Sequence, residues 1–135
     1  MSLDSTPYRL QYSSHMSVRA IRGAIQVDEN SVASIHEGAK ELLSEIMRVN
    51  ALAVDSIISV ILTSTPDLTA DFPAVGAREI GFGGIPLLCA SEINVPGALP
   101  RVIRVMLHCS TEKGSNEITH VYLRGAVSLR RDLAQ

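Results

Sequence analysis

The stretch Ser17-Val18-Arg19-Ala20-Ile21-Arg22-Gly23-Ala24-Ile25-Gln26-Val27 alternates its side chains with the period of two that belongs to a β-strand. Val18, Ala20, Arg22 and Ala24 share one face, and Arg19, Ile21, Gly23 and Ile25 share the other, so Arg22 stands mid-strand. The period then changes. Val32, Ile35, Ala39, Leu42, Leu43, Ile46 and Val49 recur at helical spacing over about five turns. Asn30 or Ser31 can cap this helix, and Asp28 and Glu29 suit its positive N-terminal end. The run Ser56 to Thr63 is nearly all apolar, as expected of a central strand covered on both faces, and Thr65-Pro66-Asp67 ends it in a turn. Together these segments form a β-α-β unit.

Further along, Phe72 to Ile80 reads as a short helix with Pro73 in its first turn, closed by Gly81, Gly83 and Gly84. Ile85 to Ala90 makes a third strand. After the Pro96-Gly97 break, Arg101 to Cys109 alternates into a fourth, with Ile103, Val105 and Leu107 on one face and Val102, Arg104, Met106 and His108 on the other. The loop from Ser110 to Asn116, with Lys113 in solvent, leads to a last strand, Ile118 to Leu123, and a short Ala126 to Arg130 turn. The class is α/β with an α+β mixed sheet, a single-domain β-α-β-α-β-β-type chain. Residues Met1 to His15 are polar and aperiodic, an extension or tag outside the folded domain of residues 16–135.

The 135 residues suit one compact unit. Hydrophobic residues make up 46% and charged residues 19%, the composition of a globular protein, and aromatics are only 4% with no Trp, so stacking platforms for bases are scarce. A formal net charge of -2 and a pI near 6.0 provide no basic field for nucleic acid or an anionic membrane. Cys89 and Cys109 lack metal-ligand or CxxC spacing and read as reduced thiols of a cytoplasmic protein. Apolar runs fall short of the roughly 18 to 20 residues a membrane span needs. Among the 12 cationic residues only Lys40 and Lys113 are Lys. The rest are Arg, whose planar fork grips carboxylates in a bidentate way.

The chain has no GxSxG elbow, Walker loop, HExxH or helix-opening GxGxxG. Gly81-Phe82-Gly83-Gly84 is a helix stop rather than a phosphate cradle, since no strand leads into it. His36, His108 and His120 have no carboxylate or second His at ligand spacing, so they are structural or surface residues and no metal site is implied. What remains is a set of polar residues at mid-strand or strand-end positions: Arg22, Glu92, Arg104 and Tyr122. A charge on a half-buried strand must be paired or solvated by a cleft. Cys89 and Glu92 differ by an odd number, so either a bulge intervenes or Glu92 lies past the strand end.

Six segments then carry a resemblance. They are Val18-Arg19-Ala20-Ile21-Arg22-Gly23-Ala24, Leu62-Thr63-Ser64-Thr65-Pro66-Asp67-Leu68, Phe72-Pro73-Ala74 with Arg78-Glu79, Ile85-Pro86 with Cys89 and Glu92, Ile103-Arg104-Val105-Met106, and His120-Val121-Tyr122-Leu123. In this order, from Val18 to about Leu133, the chain resembles the trimeric, Bacillus-type (AroH-class) monofunctional chorismate mutases. The resemblance implies a homotrimeric pseudo-α/β-barrel with active sites between neighbouring subunits. It implies rearrangement of chorismate to prephenate in aromatic amino-acid biosynthesis, with no cofactor.

It also implies roles. Arg104 hydrogen-bonds the ether oxygen and a carboxylate, Arg22 binds a carboxylate, and Glu92 accepts from the ring hydroxyl. The Cys89 region contacts the same hydroxyl, Leu87 and Leu88 are substrate-binding, and Tyr122 donates to a carboxylate. Phe72, Ala74 and Arg78 of a neighbouring subunit form the other wall, and Leu129 and Arg130 close over the site. The chain departs from the family pattern at Val75, where a Lys is common, at Leu88, where a Thr is usual, and around Gly83 and Gly84, which are about one residue short. Two other readings stay open: a different enzyme on a similar trimeric barrel, such as the small enamine deaminases, whose signatures are not seen here, and a non-catalytic trimeric module binding a dicarboxylate metabolite.

Overall fold

The computed structural model describes residues 16–132, so the expectation for Met1 to His15 lies outside the described residues. Five strands form one mixed sheet: β1 (Ser17–Gln26), β2 (Ile57–Ser64), β3 (Leu87–Ser91), β4 (Val102–Thr111) and β5 (Val121–Leu123), in the order β3-β2-β4-β1-β5. Strand β4 runs antiparallel to both β1 and β2, while β2–β3 and β1–β5 pair in parallel. The β-α-β unit is therefore split, with β4 inserted between its two parallel strands. The sheet is thus of the expected α+β mixed kind.

Helix α1 (Val32–Val49) lies across one face of the sheet. Its Ile35, Ala39, Leu42, Leu43 and Ile46 are buried with Ile21 and Ile25 of β1, Val60 and Leu62 of β2, and Ile103, Val105 and Leu107 of β4. Ser31 caps it, accepting from the Ser34 N–H at 3.1 Å. Asn50 closes the other end. Its side-chain nitrogen donates to the carbonyls of Ile46 (3.0 Å) and Thr119 (2.9 Å), and its oxygen accepts from the Thr119 N–H (2.8 Å), so the buried amide is satisfied and ties α1 to the segment before β5. Lys113 is anchored here rather than solvated, because its Nζ donates to the Asn50 carbonyl at 2.8 Å, one of the last acceptors of the helix.

All of this lies on one side. The expectation that β2 is covered on both faces fails within the chain, because the two α-helices pack on one face and leave Ile61 of β2 and Met106 of β4 exposed on the other. The C-terminal 3₁₀ turns (Arg124–Asp132) return to that second face, where Ala126 and Leu129 pack with Leu99 on Ala24, Val102 and Tyr122. Strand β5 is shorter than expected, and the segment from Ile118 reaches it through the Asn50 contacts instead of sheet pairing. Among the described residues no helix is long and apolar enough to cross a membrane.

Helix α2 (Ala74–Glu79) begins after Pro73 and ends at Gly81, whose φ of 100° is left-handed; Phe82 then turns into the core, as a helix stop rather than a ligand loop requires. It crosses α1 at Gly76, where an added Cβ would lie 2.5 Å from the backbone oxygen of His36. Backbone cannot yield as a side chain can, so Gly76→Ala is expected to force the helices apart and destabilise the fold by about 1 to 3 kcal/mol. Gly84→Ala, with nothing within 4 Å of the new methyl, is the comparison. Equal melting temperatures for the two variants by circular dichroism would show that the crossing relaxes freely.

Candidate active site

Strand parity puts Arg22, Arg104, Met106, Ile61, Thr63 and Tyr122 on the open face, where cross-strand neighbours Thr63 and Arg104, Ile61 and Met106, Arg22 and Met106, and Ala24 and Tyr122 are in register. They enclose a depression of about 160 Å³, lined by Arg22, Ile61, Thr63, Arg104, Met106 and Tyr122 over the backbone of Gly23 and Val105. Charged and hydroxyl groups set among apolar side chains on a sheet face are costly unless each finds a partner or faces a ligand.

Glu92 supplies one partner. It lies one residue past β3, with its N–H bonded to the Ser64 carbonyl at 2.9 Å, and no bulge interrupts the β2–β3 pairing. The odd spacing from Cys89 is thus resolved by the strand end. Glu92 Oε1 accepts from Arg104 Nε at 3.2 Å, and Oε2 accepts from the Thr63 hydroxyl at 2.7 Å. The glutamate side chain is 17% exposed against 48% for the arginine. The carboxylate is thus the fixed member, and it orients a guanidinium whose Nε alone is engaged among the described residues. Thr63, to which the sequence pattern assigns no role, is the residue that fixes it.

Arg22 is held through its backbone. Its N–H donates to Nδ1 of His120 at 3.0 Å, which requires a neutral imidazole acceptor. Burial, and then the nearby Arg22 charge, push the His120 pKa below its ordinary value and favour that form. His120 is structural, as its sequence setting implied. So is His108, whose Nδ1 lies 3.4 Å from the Ser59 hydroxyl.

The other expected site residues stand elsewhere. Cys89 pairs with the buried Leu62 and packs toward the main core, on the face opposite Glu92. With Ala90 and Ser91 it lines a second, larger cleft of about 480 Å³, whose other wall is Thr69, Ala70, Asp71, Phe72 and Pro73. Phe72 is 66% exposed and Leu88 63%. Leu87 is half-buried, Ala74 is buried in the main core, and Arg78 is exposed on α2, beside the half-buried Val75. Leu129 packs beside Tyr122, and Arg130 is exposed next to it. Within one chain, then, Arg22, Glu92, Arg104 and Tyr122 come together, while Phe72 and Cys89 belong to a separate cleft. Among the described residues no cluster of three or more His, Cys, Asp or Glu is arranged to hold a metal ion.

Known proteins resemble this chain over most of its length. The sequence profile of the family described as chorismate mutase type I matches residues 18–133. The chorismate mutase AroH of Thermus thermophilus is 48% identical over 117 residues, covering 86% of this chain and 96% of that protein. The chorismate mutase AroH of Bacillus subtilis (strain 168) is 38% identical over 120 residues, 88% of this chain and 94% of that one. A solved structure of a chorismate mutase from Clostridium thermocellum superposes with a TM-score of 0.80 at 46% identity, covering 82% of this chain and 98% of its own.

Proposed function

This chain belongs to the chorismate mutase type I family, and from that premise we propose that its open-face depression is the site where chorismate is rearranged to prephenate. The observation that carries the reading is the Thr63–Glu92–Arg104 chain of hydrogen bonds set beside Arg22 and Tyr122. In this reaction the ether C–O bond of chorismate breaks as a new C–C bond forms, in one pericyclic step with no net proton, electron or group transfer. The site has to hold the diaxial conformer and stabilise negative charge growing on the ether oxygen.

Arg104 is placed for that charge, with Glu92 fixing its guanidinium plane and leaving its outer nitrogens to the substrate. Arg22 and Tyr122 border the same depression and bind the two carboxylates. Glu92 retains lone pairs on both oxygens for the ring hydroxyl and places negative charge near the electron-poor ring. Neither a metal nor an organic cofactor has a step to perform. The pathway is aromatic amino-acid biosynthesis in the cytoplasm. Loss of the chorismate absorbance in a cofactor-free assay tests the reading. A folded protein that binds chorismate by calorimetry yet leaves its absorbance unchanged would instead be a dicarboxylate-binding module.

The active assembly is a homotrimer closing into a pseudo-α/β-barrel, with each site completed by the Phe72, Ala74, Arg78 and Cys89 side of a neighbour. Three features support this: apolar Ile61 and Met106 exposed in the depression beside Arg22 and Arg104, an exposed Phe72 in a second cleft, and a depression too open on one chain to exclude water. Light scattering at micromolar protein is expected to report the mass of three chains. A fully active monomer would overturn it.

A further inference from the structure

The segment that carries Phe72 is tied down more heavily than a surface loop needs. Asn30, which precedes the Ser31 cap, turns its side chain away from the helix. Its oxygen accepts from the Thr69 N–H at 2.9 Å and the Ala70 N–H at 3.0 Å, while its nitrogen donates to the Thr69 hydroxyl at 3.0 Å. From the second turn of α1, His36 Nε2 meets Asp71 Oδ2 at 2.7 Å, in a half-buried pair. The second oxygen of Asp71 accepts from the Phe72 N–H at 2.7 Å. That backbone bond, and then the His36 contact, hold the Asp71 carboxyl below the usual carboxylate range, so the pair is a charge-assisted one.

All of this order serves a phenyl ring that buries little surface in the chain. Fixing one residue's backbone costs about 1 to 2 kcal/mol, and a loop whose aromatic tip stays in solvent recovers little of that by burial. The same residues, 69–73, form one wall of the 480 Å³ cleft. We propose that Asn30, His36 and Asp71 form a strap from α1 whose role is to hold Phe72 in place as the apolar wall against which the carbocyclic ring of the substrate packs. His36 and Asp71 are thus positioning residues, acting on substrate only through Phe72. The inference rests on the reading that Phe72 borders the reaction site. It extends that reading to residues that never meet substrate, because preorganising a wall removes an ordering cost from binding.

The test is a double-mutant cycle on the full-length enzyme, with melting temperature and oligomeric mass recorded for every variant. Asp71→Ala and His36→Leu are each expected to lower kcat/KM by about 3- to 30-fold, chiefly through KM, as expected for coupled residues in contact. Asp71→Asn, which still accepts from the Phe72 N–H, should recover most of the loss. In a Phe72→Ala background, Asp71→Ala should then cost nothing further, since the ring it positions is gone. An unchanged kcat/KM for Asp71→Ala, or a loss of the same size with and without Phe72, would overturn the strap even if the melting temperature fell. Should Phe72→Ala itself be silent while Arg104→Ala is severe, the place of Phe72 in the site is what fails, and the strap with it. Absence of mutase activity in the wild-type protein would overturn the functional reading first.

Discussion

Arg104→Ala is expected to lower kcat by at least about 100- to 1000-fold, the cost typical of removing one preorganised donor from a developing oxyanion, or about 3 to 4 kcal/mol of barrier. The ether oxygen gains negative charge as its bond lengthens, so a cation beside it interacts more strongly in the transition state than in the bound ground state, and its loss appears in kcat. Replacement by citrulline, near-isosteric but neutral, keeps most of the hydrogen bonds and separates charge from geometry; it should cost nearly as much. Arg104→Lys keeps charge without the planar fork. Glu92 takes the Nε donor of that fork, so a lysine would have to choose between the glutamate and the substrate, and only part of the rate should return. Arg48, solvated on α1 and paired only with Glu45 among the described residues, is the proper control and should change kcat/KM by less than about threefold. Lys113 would be a poor one, since it holds the end of α1. If Arg104→Ala raised KM and left kcat near wild type in a folded assembly, Arg104 would be a uniform binding contact, and electrostatic stabilisation would have to come from elsewhere.

The open face was legible because strand alternation is a local signal. Parity groups Arg22 with Ala20 and Ala24 on β1 and Arg104 with Met106 and His108 on β4, and the β1–β4 register brings these two faces to the same side of the sheet. For Glu92 the sequence left a bulge and a strand end both open, and its contacts with Thr63 and Arg104 depend on a parallel β2–β3 register that no local pattern records. The continuous apolar run of β2 gave a misleading picture of a strand covered twice within its own chain. Apolarity tells that a face will be covered, and not by what. Asn30 and Ser31 were equal candidates for the cap because both have the chemistry. The structure assigns the cap to Ser31 since Asn30, with a donor as well as two acceptor lone pairs, satisfies three groups of the 69–70 backbone and side chain instead. Likewise His36 had no carboxylate at ligand spacing, and its partner Asp71 is 35 residues away. Contacts of that separation follow from the crossing of α1 and the loop before α2, which the close approach at Gly76 permits.

Glu92→Gln is expected to lower kcat by about 10- to 100-fold, because a hydrogen bond to a charged group is worth roughly 1.5 to 3 kcal/mol and each 1.4 kcal/mol is a factor of ten. The substitution leaves geometry intact: the amide oxygen can accept from Arg104 Nε while the amide nitrogen donates to the Thr63 hydroxyl, so every group now bonded to Glu92 keeps a partner. Charge is what it removes. Glu92→Ala removes the partner as well and frees the Arg104 guanidinium to swing, so it should be more severe. Thr63→Ala, which loosens the carboxylate without neutralising it, should cost less than either. The pair also distinguishes two roles for the glutamate. If it acts only by holding Arg104, then Glu92→Gln adds almost nothing to an Arg104→Ala enzyme, since the group it orients is absent. If its charge also balances the cationic ring of the transition state, the two losses multiply. Wild-type kcat in Glu92→Gln, alongside a large loss in Glu92→Ala, would leave Glu92 as scaffold alone and remove charge balance from the mechanism.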